Sequence, residues 1–135
     1  MVDGRKILLC ADGSENSVRA SQFVTRMMAG TDAHVTLLHV VTPRRAMDLR
    51  ERCDDWEAEA KKEVLRCIEA MAKSDLDHEV LVQIGAAADV ILEMSRGYDV
   101  IVMGYKGQGA ITSVLMGSVT NKIVRESRMP VTLVP

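Results

Sequence analysis

The sequence predicts an α/β fold: one parallel sheet with helices on both faces. Three observations carry the prediction. Short, near-continuous apolar runs recur along the chain, and segments with an apolar stripe at helical spacing separate them. No Gly/Ser-rich linker, repeat or low-complexity tract divides the 135 residues, so residues 1–135 are expected to form one domain. Runs apolar on both faces mark strands covered from both sides, and their alternation with helices is the pattern of a parallel sheet.

Taken in order, Ile7 to Ala11 is a buried strand and Asp12-Gly13-Ser14 the turn that ends it. Ser14 is placed to cap the next helix, in which Ala20, Phe23, Val24, Met27 and Met28 put one face on the core. Gly30 ends that helix. Val35 to Val41 is the second strand, stopped by Pro43. A charged stretch from Arg44 to Asp55 then precedes Trp56, Ala60, Val64, Cys67, Ile68 and Met71, which trace one face of a single long second helix. Asp75 to His78 turns into a third strand, Val80 to Ile84, closed by Gly85. Ala87, Val90, Ile91 and Met94 predict a third helix ending at Gly97, and Asp99 leads into the fourth strand, Val100 to Met103. An amphipathic pattern from Val119 to Val124 predicts the last helix, and Val131 to Val134, between Pro130 and Pro135, the fifth strand.

Lys+Arg 17 against Asp+Glu 19 gives no general attraction to nucleic acid or to an anionic membrane, and no Lys/Arg block supplies one locally. The first apolar run is too short for a signal-peptide core and no stretch approaches a membrane span, so a soluble, cytoplasmic protein is expected. Cys10, Cys53 and Cys67 show neither CxxC spacing nor a nearby His at metal spacing, and they read as packed thiols in a reducing compartment.

The stretch from Met103 to Thr120 reads as strand, glycine loop and helix N-terminus. Gly104 and Gly107 can take φ > 0 and lack a Cβ, which lets the backbone approach a ligand. Gly117 and Ser118 open a helix whose first amides have no intrahelical partner and whose dipole favours an anion. Gly104 and Gly109 have the separation of a Walker A loop, but Ala110 and Ile111 follow where Lys and Ser/Thr are required. The dinucleotide fingerprint fails as well, because Thr112 stands where its third glycine belongs.

Gly104, Gly107, Gly117 and Ser118 follow the spacing Gly, two residues, Gly, nine residues, Gly, Ser or Thr. That spacing resembles the nucleotide-binding signature of the universal stress protein family, and the resemblance extends across the chain. It implies a doubly wound five-stranded sheet of order 3-2-1-4-5, reversing between strands 1 and 4, where ligands bind in such sheets. It also implies a ligand held by Ala11, Asp12, Val40, Met103, Gly104, Gly107, Gly109, Gly117, Ser118, Val119 and Thr120. By the same resemblance the Asp12 carboxylate accepts from ribose hydroxyls or an adenine amino group, and the Val40 backbone reads the adenine edge. Met103 lies on the other side of the base, with Cys10 and Ala11 on the pocket floor.

Read alone, Asp12 fits equally a turn or a cap on the first helix, and Ser118 an ordinary N-cap, although Asn121 stands where a capping box prefers Glu or Gln. Lys106 serves either to screen phosphate charge or as a solvated loop lysine. His39 reads as structural, since no nucleophile or carboxylate of the motif is placed to use it.

The resemblance implies ATP, ADP or AMP as ligand, with Mg²⁺ or Mn²⁺ held mainly by phosphate oxygens and water. No general base, arginine finger or acidic metal pair accompanies the motif. A nucleotide-dependent stress-response regulator with at most slow hydrolysis is therefore expected, rather than an enzyme. A homodimer paired antiparallel through Val131 to Val134 is implied too. One alternative is a dimerisation or chaperone-like module of the same fold that binds no nucleotide. Another is an enzyme that splits ATP between its α and β phosphates; that class needs a Ser-Gly-Gly-x-Asp-Ser loop, whereas Cys10-Ala11-Asp12-Gly13-Ser14 follows strand 1 here.

Overall fold

Strand parity builds two cores back to back. The computed structural model describes residues 4–106 and 116–135. In it, strands β1 (Lys6–Cys10), β2 (His34–Val41), β3 (Asp77–Ile84), β4 (Val100–Gly104) and β5 (Val131–Val134) form one sheet. The order is β3-β2-β1-β4-β5, with every pairing parallel. Successive side chains point to opposite faces. Ile7, Leu9, Val35, Leu37 and Val102 therefore pack on one face against Val18, Val24, Cys67 and Met71. Leu8, Cys10, Leu38, Ile101 and Met103 pack on the other against Ala88, Ile91 and Ile123. Leu8, Leu9 and Ile101 are fully buried, and each such side chain stabilises the fold by about 1.5–3 kcal/mol.

The helices are α1 (Glu15–Met27), α2 (Pro43–Arg52), α3 (Trp56–Lys61), α4 (Leu65–Ala72), α5 (Ala87–Ser95) and α6 (Ser118–Glu126). Gly30, at φ 77, follows α1, in the left-handed conformation that glycine adopts without strain.

Two expectations from the sequence need correction. The charged stretch after Pro43 is itself a helix, α2. The Thr42 side chain accepts from Arg45 N–H, Pro43 occupies the first turn, and Ala46 and Leu49 are buried. Pro43 thus stops a strand and starts a helix, since its fixed φ suits a first turn that needs no amide. The predicted long second helix is also interrupted. A 3₁₀ turn over 62–64 separates α3, whose Ala60 packs with Val41, Ala46 and Leu49, from α4, whose Cys67 and Met71 pack under α1. The predicted stripe is nonetheless buried at Ala60, Val64, Cys67 and Met71. The break lets the chain change packing partner.

The order reverses between β1 and β4, since β1 leads through α1 to β2 on one side while β4 lies on the other. Their carboxyl ends diverge into opposite crossovers and leave a crevice.

Candidate functional site

The exit from β1 is fixed by hydrogen bonds. Ala11 N–H donates to the Leu38 carbonyl at 3.0 Å, and the Ala11 carbonyl accepts from His39 Nδ1 at 3.0 Å. Asp12 Oδ1 accepts from Ser14 N–H at 2.9 Å, while Gly13 takes φ 87. That is an Asx turn, which Asp supports and glycine completes. Ser14 then caps α1 as predicted, its Oγ accepting from Ser17 N–H at 3.2 Å. Buried Ser17 Oγ accepts from Gly13 N–H at 3.1 Å and donates to the Ser14 carbonyl at 2.9 Å. Asp12 is therefore both a turn residue and a cleft residue.

The exit from β4 depends on close approach rather than on an unusual dihedral. Gly104 does not have a positive φ. A Cβ there would stand 2.5 Å from Asn16 Cβ and 2.8 Å from the Asn16 carbonyl carbon, so glycine is required to let the first turn of α1 sit on β4. This corrects the expectation of conformational freedom at Gly104. Tyr105 N–H donates to the Val134 carbonyl at 3.1 Å, and its own carbonyl accepts from Gly117 N–H at 3.2 Å. Thr120 Oγ1 donates to the Gly104 carbonyl at 3.3 Å. The start of α6 is thus tied to the end of β4.

Ser118 does not cap α6. The N-cap is Gly117, extended at φ −71 and ψ 162 and itself without a capping side chain, and Ser118 is the first helical residue and exposed. The first turn of α6 opens toward the crevice, and its cap residue, unlike Ser14 of α1, brings no side-chain acceptor.

Between these two exits lies a cleft of about 220 Å³. Ala11, Asp12, Val40, Met103, Gly104, Gly117, Ser118, Val119 and Thr120 all line it. Gly107 and Gly109 lie outside the described residues. Leu38, Ala87 and Ile91 complete an apolar wall, and Ser14, Ser17 and Lys106 add to the polar end. Sequence reasoning did not assign Ser14, Ser17, Leu38, Ala87 or Ile91 to the site. The only signal for Ala87 and Ile91 was the inward stripe of α5, which marks burial but not which cavity it faces. Ser14 Oγ lies 3.5 Å from the Lys106 carbonyl, so the two polar segments meet across the cleft mouth. Cys10 lines the floor, and burial pushes its thiol up to about 12, leaving it protonated and unreactive. Among the described residues, no group of three or more His, Cys, Asp or Glu is placed to hold a metal ion. Among them, too, no helix is long and apolar enough to cross a membrane.

Known proteins match this chain over its whole described length. A model of the universal stress protein family matches residues 4–135. A universal stress protein of Thermus aquaticus, encoded in a sulfhydrylase 3′ region, is 33% identical over 96% of this chain and 98% of its own. Among solved structures, protein MJ0577 of Methanocaldococcus jannaschii superposes with a TM-score of 0.80 at 26% identity, covering 98% of this chain and 96% of its own. A universal stress protein in complex with cAMP (TM-score 0.66, 24% identity, 98% of both chains) shares the fold. So does one from Archaeoglobus fulgidus in complex with dAMP (TM-score 0.71, 18% identity, 100% of both chains). Family model, sequence relatives and shared fold agree: the chain belongs to the universal stress protein family.

Proposed function

We propose that the cleft binds an adenine nucleotide, ATP, ADP or AMP, and that the protein is a cytoplasmic, nucleotide-dependent regulator of a stress response, with at most slow hydrolysis. One observation carries the reading: an apolar wall, a carboxylate and a helix start without a side-chain cap converge on one cleft at the sheet's reversal point. Leu38, Val40 and Met103 would sandwich the base, with Val40 offering its backbone to the adenine edge. Asp12, oriented by the Ser14 amide, would accept from the ribose hydroxyls. The amides of Ser118, Val119 and Thr120 would receive the phosphates, favoured by about half a positive charge at the helix end. Gly117 keeps a side chain out of the phosphate path, Gly104 offers its backbone to the cleft, and Gly107 and Gly109 are assigned to the same loop.

With Asp12 the acidic group of this cleft, Mg²⁺ or Mn²⁺ would be held mainly by phosphate oxygens and water. The cAMP and dAMP complexes of structural relatives support an adenine ligand, since both carry adenine and a phosphate.

Calorimetric titration with ATP and Mg²⁺, ADP, AMP and cAMP tests this. Micromolar binding is expected. Gly117→Ala, at an ordinary φ and ψ, should weaken it tenfold or more, about 1.4 kcal/mol. No binding of any of the four to the folded protein would leave the dimerisation module as the better reading. Phosphate release at the rate of a turnover enzyme would contradict the regulator.

The second part of the proposal is a homodimer through β5. Ile101 N–H donates to the Pro130 carbonyl, so in the trans peptide that follows the Val131 N–H points away from β4, to the open edge. Val131→Pro removes that donor at a strand's first residue, where proline is tolerated. Sedimentation should show a dimer for the parent and a monomer for the variant; a monomeric parent would refute the dimer.

A further inference from the structure

His39 is buried, 6% exposed, on β2. It lies on the opposite face of the sheet from Val40 and the cleft, because neighbouring strand residues point to opposite faces. Its Nδ1 lies 3.0 Å from the Ala11 carbonyl. A carbonyl can only accept, so Nδ1 carries the proton and donates. Nε2 has no hydrogen-bond partner among the described residues and faces the Glu63 carboxylate at 3.6 Å, just beyond hydrogen-bonding distance. Glu63 in turn lies 3.8 Å from Arg45 of α2. A buried imidazole is therefore kept with only one of its two nitrogens hydrogen-bonded, and burying such a group is unfavourable unless the bond it makes offsets the cost. The bonded atom belongs to the residue immediately before Asp12.

We propose that His39 is a positioning residue for the ligand cleft, acting from the far face of the sheet. Ala11 is the first residue after β1. Its N–H is held by Leu38 and its carbonyl by His39, so both sides of the exit are anchored on β2. With the Ala11 carbonyl turned toward His39, the following peptide plane is set, and with it the direction in which Asp12 enters its Asx turn. Without the Nδ1 donor, that peptide can rotate, and the carboxylate leaves the geometry in which it meets a ligand. The affinity part of this inference rests on the nucleotide reading; the backbone part does not.

Three substitutions separate positioning from packing. Asn carries an amide donor at the same bond distance from Cα as Nδ1, Gln carries one at the distance of Nε2, and Leu carries none. His39→Leu and His39→Gln should weaken ATP binding roughly five-fold, the size of one ordinary hydrogen bond. His39→Asn should bind within about two-fold of the parent, although, being smaller, it leaves a cavity and unfolds at lower urea than His39→Gln. Affinity that follows urea stability across the three, or equal affinity in all, would overturn the proposal. Amide ¹⁵N–¹H shifts of Asp12, Gly13 and Ser14 in the ligand-free protein supply the independent readout. His39→Asn and His39→Leu both lack the ring, so any difference between them reports the donor. Shifts near the parent in Asn and displaced in Leu support the proposal, and identical shifts in the two overturn it. If the parent binds no nucleotide, the functional reading fails while these shifts still decide the role of His39.

Discussion

Two helices start at the mouth of the same cleft, and they start differently. At α1, Asp12, Ser14 and Ser17 supply side-chain oxygens to the backbone amides of Ser14, Ser17 and Gly13. At α6, Gly117 holds the cap position and brings no side-chain oxygen of its own. A Ser cap is worth a few tenths of a kcal/mol more than a Gly cap, so the Gly117 start forgoes a small stability that a single hydroxyl would supply. The α1 end is closed on itself and holds Asp12 in place. The α6 end, capped by a glycine, is the one assigned to the ligand in the proposed function.

The comparison can be broken at the junction where the two ends touch. Gly104→Ala has the largest expected effect. Its Cβ collides with Asn16 backbone and Cβ rather than with a flexible side-chain tip, so α1 must move. A stability loss of about 3 kcal/mol in urea unfolding is expected, at the upper end for overpacking. A loss below about 1 kcal/mol would mean that α1 shifts freely and that its start is not the rigid partner described here.

Gly117→Ser sharpens the contrast by making α6 resemble α1. A hydroxyl at the cap position should raise stability by a few tenths of a kcal/mol while weakening nucleotide binding about tenfold, because it competes for the amides the phosphates need. Opposite signs in the two readouts distinguish a ligand site from a structural end. Ser14→Ala is the mirror experiment: stability should fall by about 1 kcal/mol, measured by urea unfolding, with a smaller effect on affinity.

Cys10 offers a test of a different kind, in pH. Burial raises its thiol from 9.0 to about 12, so the folded state holds that proton more tightly than the unfolded chain. Its contribution is complete below pH 9 and is lost as the pH rises toward 12. Between pH 8.5 and 10.5 the parent should therefore lose more stability than Cys10→Val. Equal losses would show that the thiol is not the group responsible.

Much of this was legible in the sequence because it depends on local rules. The five apolar runs, the turn residues after Ile7 to Ala11 and the stripes of α1, α5 and α6 require only periodicity and composition, and each is found within a few residues of its expected place. The resemblance carried by Gly104, Gly107, Gly117 and Ser118 added the strand order, which local pattern does not contain. What was hidden depends on packing partners. In α2 the inward stripe is only Ala46 and Leu49 among charged residues, too narrow to announce a helix. The 3₁₀ break over 62–64 exists because α3 and α4 pack on different neighbours. The reason for Gly104 lies in Asn16, far away in the chain. Ser118 looked like a cap because Ser favours that position, but the extended Gly117 before it already fills it. His39 is buried and bonded, as a structural histidine should be, but its partner Ala11 was not legible because that bond forms only when β1 and β2 pair.

The most direct test is a ¹⁵N–¹H titration of the protein with ATP and Mg²⁺. The amides of Ser118, Val119 and Thr120 should show the largest displacements, while the amides of Ser14 and Ser17, already bonded to side-chain oxygens, keep their positions. Displacements concentrated on the α1 amides, or none at either helix start, would contradict the division of labour between the two ends.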